Sequence, residues 1–158
     1  MMGTASLALR RYDLARKSYE TAIALDPDYV LALVNLGVTL SLMGHFIKAI
    51  THYQAGLKID PNDINSINAM GNALQFKGEY DAAIESYSKA IALAPTCAEA
   101  HNNLGNASEN QGNLQAAVKS YTQALVYQPE NEATQNNLIR ACQQLSVTDF
   151  AKDRTDRP

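Results

Sequence analysis

The chain has 158 residues, enough for one core of ordinary size, and 46% of them are apolar, too many for a disordered polymer. A formal net charge of -3, with no basic stripe interleaved with aromatics, argues against a nucleic-acid partner. No run reaches the roughly 18 apolar residues of a membrane span, and two cysteines, Cys97 and Cys142, are too few and too far apart for a disulfide framework or a zinc site.

In chain order, residues 1–29 read as an incomplete unit. It opens inside a helix whose first turn or so is missing, and a helix over 11–25 follows. Three units of equal length come next, at 30–63, 64–97 and 98–131, each a helix, a tight turn, a second helix and a loop. Apolar residues run at helical spacing through them, as in Leu33, Leu36 and Leu40, then Ile67, Met70 and Leu74. Residues 132–145 read as a capping helix, with Leu138, Ile139, Cys142 and Leu145 facing inward and Gln135, Asn136, Gln143 and Gln144 facing water. Residues 146–158 lack periodicity and are expected to form a disordered tail.

The period is what makes these boundaries sharp. Pro27, Pro61, Pro95 and Pro129 stand 34 residues apart, and Pro cannot continue a helix. In the same register fall Gly3, Gly37, Gly71 and Gly105, then Gly44, Gly78 and Gly112. So do Ala15, Ala49, Ala83 and Ala117, and Tyr19, Tyr53, Tyr87 and Tyr121. The column at Gly44 lies mid-unit, where a helix C-terminus wants left-handed backbone. Asp28, Asn62 and Thr96 follow the prolines as expected N-caps. The Gly37 and Ala49 columns let helices approach closely, and the tyrosines fill the gaps between pairs. No single unit buries its own faces, so stability must come from stacking.

With Leu36-Gly37, Ala49, Tyr53 and Pro61 in this period, the chain resembles the tetratricopeptide-repeat family over about residues 2–145. The resemblance implies an all-α fold, a right-handed α-α superhelix (solenoid) of antiparallel helix pairs. Where the family often has Trp early in the first helix, this chain has Leu33, Ile67 and His101. The family also implies a peptide-binding groove lined by first helices. Carried onto this chain, the lining is Leu31, Val34, Asn35, Val38 and Leu42, then Asn65, Asn68, Asn72 and Gln75. The third complete repeat adds Glu99, Asn102, Asn103, Asn106, Glu109 and Asn110, and the capping helix Asn136, Asn137 and Arg140.

Asparagine is a mediocre helix former, but its amide both donates and accepts and so can pair with peptide backbone. The stretch Asn102-Asn103-Leu104-Gly105-Asn106 resembles repeats of the O-GlcNAc-transferase type, in which an asparagine ladder holds substrate backbone. The matching ladder here would be Asn35, Asn103 and Asn137, interrupted by Ala69. Repeats that clamp acidic chaperone tails use Lys and Arg in this groove. Here Arg140 is the lone cation, with Glu99 and Glu109 nearby, which disfavours a carboxylate clamp.

Nothing in the sequence suggests catalysis, a metal or another cofactor. His45 and His52 are seven residues apart, wider than the i, i+4 pair of a metal site, and His101 takes a packing position. The tyrosine column sits on second helices, behind the groove. The expected function is a non-enzymatic scaffold or adaptor that binds a peptide segment of a partner protein. Two alternatives remain at this level: the recognition segment of a larger enzyme such as a glycosyltransferase, or a self-assembling structural protein, with a homodimer through the incomplete N-terminal repeat. No basic region precedes the short apolar run at the start, so no cleaved signal is expected and the default location is cytoplasmic.

Overall fold

The computed structural model describes the backbone of residues 2–155 and the side chains of residues 10–147. Among the described residues the chain is all helix: α1 (Met2–Leu25), α2 (Val30–Leu42), α3 (Phe46–Ile59), α4 (Ile64–Lys77), α5 (Tyr80–Leu93), α6 (Ala98–Asn110), α7 (Leu114–Tyr127) and α8 (Glu132–Thr155). It divides into two compact units, Met1–Glu79 and Tyr80–Pro158. Sequential helices pack on one another within each, α1 on α2, α2 on α3 and α3 on α4, then α5 on α6, α6 on α7 and α7 on α8.

The turns are set by glycine. Gly44, Gly78 and Gly112 have φ of 78°, 86° and 88°, the left-handed region that a Cβ disfavours. At the first of these, Gly44 N–H donates to Ser41 O and His45 N–H to Leu40 O, which closes the end of α2 and turns the chain into α3. The same column holds Arg10 and Ser146 at the two ends of the chain. There the backbone does not turn. Both α1 and α8 run through the position as single helices of 24 residues. Left-handed backbone costs a residue with a Cβ roughly 1–2 kcal/mol, so the straight helix wins. The first helix is thus continuous where a break before residue 11 was expected, and α8 runs on past residue 145 to Thr155, so that stretch of the expected disordered tail is helical. Residues 156–158 of the expected tail lie outside the described residues.

Helix starts correct one expectation. The N-caps are Tyr29, Asp63 and Cys97, one residue beyond Asp28, Asn62 and Thr96. Asp63 accepts from Ser66 N–H at 3.1 Å, and Asn131 accepts from Thr134 N–H at 3.0 Å at the start of α8. The earlier loop residues serve the turn instead, as where Asp60 Oδ1 accepts from Asn62 N–H.

The core of the first unit gathers Leu36, Leu40, Ala49, Tyr53 and Ala73, with Tyr19 and Ile23 of α1 packed against it. In the second, Ala117, Tyr121 and Ala141 form the matching cluster with Leu138. Tyr53, Tyr87 and Tyr121 are buried, and Ala49, Ala83 and Ala117 are fully enclosed. Tyr19 is only half-buried. On α8 the inward residues are Leu138, Ala141 and Leu145; Ile139 and Cys142 are exposed, contrary to the sequence expectation.

Candidate functional site

In the first unit, α2 and α4 lie side by side and present an apolar face. Val38 (39% exposed) and Leu42 (61%) project from α2, and Phe76 (74%) from the end of α4. Phe76 stacks on Phe46 of α3, with ring centroids 5.4 Å apart and planes 10° from parallel. These four side chains line a cleft of about 470 Å³, whose wall also carries Ser41 Oγ, 3.4 Å from the Tyr53 hydroxyl. Burial pushes the Tyr53 phenol upward, so it stays neutral and keeps its proton to donate.

The remaining expected residues of this unit divide by burial. Leu31 and Asn65 are exposed; Asn35, Asn72 and Gln75 are half-buried. Val34 is a packing residue, turned onto the core and close over Gly56. Asn68 is 6% exposed and its Oδ1 finds no partner.

Phe76 escaped the sequence reading, although the repeat register carries its signal. The column of Leu42 and Phe76 continues as Asn110, and that of Val38 as Asn72 and Asn106. Repeats with polar residues at these places form the same helices, so the fold does not require the apolar ones.

The second unit is built oppositely. Here Asn102, Asn106, Asn137 and Arg140 do come together, but on one another. Asn102 Oδ1 accepts from Thr134 Oγ1 at 3.1 Å and from Asn137 Nδ2 at 3.3 Å. Asn106 Oδ1 accepts from Asn137 Nδ2 at 3.2 Å and stands 2.8 Å from Tyr121 OH, whose single proton it shares with Glu109. Arg140 Nε and Nη2 donate to the two oxygens of Glu109 at 2.8 and 2.9 Å, and Tyr121 OH reaches Glu109 Oε2 at 2.7 Å. The Arg140 bond holds the Glu109 carboxyl below the usual range, while burial pushes the Tyr121 phenol well above its own. Glu99, Asn103 and Asn136 take no part in this network. Of the ladder Asn35, Asn103 and Asn137, only Asn137 belongs to it.

A larger cleft, about 640 Å³, lies on the other side of α6 between α5 and α7. Its serine hydroxyls are committed: Ser88 donates to Ile84 O, Ser108 to Leu104 O and Ser120 to Ala116 O. His101, in the column where the family often carries Trp, donates from Nε2 to Pro95 O at 2.9 Å and packs beside Tyr127. Among the described residues no three His, Cys, Asp or Glu side chains gather as metal ligands, and no helix is long and apolar enough to cross a membrane.

Comparison with known proteins agrees with the helical-repeat fold. A family profile described as TPR repeat matches residues 5–44 and 71–112, and profiles described as Tetratricopeptide repeat match 30–63, 52–85 and 98–131. None of the curated proteins matches. Among solved structures, MamA superposes with a TM-score of 0.81 at 24% identity, over 97% of this chain and 90% of that one. The first tetratricopeptide domain of Spaghetti (RPAP3), bound to the HSP90 peptide SRMEEVD, gives 0.72 at 25% identity, over 74% and 93%. The corresponding human domain, solved by NMR, gives 0.75 at 24%, over 78% and 98%. With its period, turn glycines, all-helical fold and matching profiles, the chain belongs to the tetratricopeptide-repeat family.

Proposed function

We propose that this chain is a non-enzymatic interaction module that binds a peptide segment of a partner protein, with the α2–α4 face of the first unit as its principal contact. The observation that carries this reading is the exposed cleft of Val38, Leu42, Phe46 and Phe76. Val38, Leu42 and Phe76 stand in columns where α6 holds asparagine, Asn106 and Asn110, without harm to the helix. Exposed apolar side chains that folding does not need are the usual mark of a contact surface. The cleft is large enough for one bulky side chain, and the Tyr53 and Ser41 hydroxyls beside it suit a backbone carbonyl. A similar domain, that of Spaghetti, is solved with a bound peptide, which supports a peptide as the ligand class.

The asparagine-rich side of the second unit contributes less. The oxygen of Asn102 already accepts two bonds, and that of Asn106 accepts one from Asn137 and shares the Tyr121 proton with Glu109, so this side offers a ligand amide N–H few open acceptors. The one arginine there is forked onto Glu109, so a carboxylate would have to displace that pair. The peptide is therefore anchored through apolar side chains and not through an acidic terminus.

The test is a pull-down read by mass spectrometry with three baits: wild type, Val38→Asn with Phe76→Asn, and a variant with Asn68, Asn72, Asn102 and Asn106 all changed to Ala. The double variant should lose the partners that wild type retains. If it keeps them while the four-alanine variant, shown by circular dichroism and melting to stay folded, loses them, the asparagines are the contact and this reading is wrong.

A further inference from the structure

The apolar patch of the first unit continues past the cleft. At the turn around Gly44 it runs over Phe46 to Ile47, which is 67% exposed, and a second, shallower cleft of about 360 Å³ lies there. Gly44 and Phe46 line both clefts, so the two adjoin. The rest of the rim cleft is His45, Ile47, Lys48 and Lys77.

Ile47 is the second residue of α3, and its column elsewhere holds Asp13, Asp81 and Gln115. An acid in the first turn of a helix is favoured by the backbone dipole, as Asp81 illustrates in α5. An exposed isoleucine forgoes that gain and adds nothing to the core. Folding does not explain it, whereas a bound apolar group would. The two lysines give the cleft its sign. Lys77 Nζ already sits 2.5 Å from Glu79 Oε1, which leaves Lys48 as the main source of positive charge beside Ile47.

We propose that this rim is a second docking subsite, which takes a bulky apolar side chain flanked by a carboxylate, from the same peptide that occupies the α2–α4 cleft. The inference rests on the peptide-binding reading above and extends it to the recognition of an apolar–acidic motif crossing the turn at Gly44. Charge complementarity with Lys48 selects such a peptide over a second copy of the chain, whose own exposed surface at this patch is apolar and cationic.

Random 12-residue peptides displayed on phage and selected on the immobilised full chain test this, with individual peptides then measured by fluorescence anisotropy. The wild type should enrich peptides with two bulky apolar residues, one of them beside Asp or Glu. Ile47→Asp places in this column the residue found at 13 and 81, so circular dichroism and melting should match wild type while affinity falls tenfold or more. Lys48→Glu should shift the flanking preference from acidic to basic. If both variants bind as wild type while Val38→Asn does not, the rim proposal is overturned and the cleft reading stands. If Val38→Asn binds as wild type, or no peptide is selected, the cleft reading fails as well. Sedimentation showing a wild-type dimer that Ile47→Asp converts to monomer would assign the patch to a second copy and overturn the proposal.

Discussion

A Cβ added to Gly105 would stand 2.5 Å from both Cδ1 and Cε1 of Tyr121, closer than any side chain can sit to a ring. The repeat separates these residues by 16 positions, as it separates Gly37 from Tyr53, where the same atom would meet Cε1 at 2.6 Å. The glycine is therefore the socket for the tyrosine. Gly105→Ala forces the ring or a helix to move, and overpacking of this kind costs about 1–3 kcal/mol. Thermal unfolding should show a lower Tm, with a larger loss when Tyr121 is kept than when it is also changed to Leu.

Gly56 makes the opposite case. It is buried in α3, yet a Cβ there would meet Val34 Cγ2 at 3.4 Å and Leu33 Cβ and Val30 Cγ1 at 3.9 Å, all ordinary contacts. Glycine inside a helix is about 0.5–1 kcal/mol worse than alanine. Gly56→Ala should raise stability by about that amount in urea unfolding; a loss would mean that Val34 cannot yield.

At the turns the cost is in the backbone. Gly112 has open space around its missing Cβ but a φ of 88°. Gly112→Ala should cost about 1–2 kcal/mol through that angle alone. Gly112→Asn should recover part of it, since asparagine tolerates left-handed backbone better; equal losses in both variants would point to sterics instead.

The Glu109–Arg140 pair gives the second unit a pH dependence. Arg140 is half-exposed while Glu109 is mostly covered, and the pair holds the Glu109 carboxyl below its ordinary 4.5. A carboxylate depressed in the folded state adds stability above the unfolded value and loses it as pH falls through the folded one. Wild-type stability should therefore drop more than that of Glu109→Gln on titration from pH 6 to pH 3. Parallel curves for the two proteins would mean that the pair contributes nothing.

Much of the fold was legible because the repeat is written in residues with local effects. Pro61 and Gly78 act on their own backbone, so period and turns follow without tertiary information. At α4 the N-cap slipped by one because Asp63 and Asn62 are both good cap residues and only helix geometry chooses between them; at α2 and α6 the cap positions fell on Tyr29 and Cys97, which make no side-chain cap bond and so carry no sequence signal. The straight α1 and α8 were legible too, in Arg10 and Ser146 at the glycine column, but absence of a residue is a weaker signal than its presence.

The site was less legible. Asparagines spaced on one helix face look alike whether they await a ligand or bond to the next helix. Thr134 and Asn137 lie 32 and 35 residues from Asn102, and whether their bonds close depends on ångström-scale placement of side chains. By itself the sequence determined the repeat and the turns, because those are constraints of backbone angle, whereas the seating of Tyr53 on Gly37 and of Tyr121 on Gly105 within one helix pair came from the packed structure. Only the tertiary structure decided that Asn102 and Asn106 are committed within the second unit and that Phe76 stands open beside Val38 and Leu42, because hydrogen bonding and exposure belong to the packed arrangement and not to any one residue.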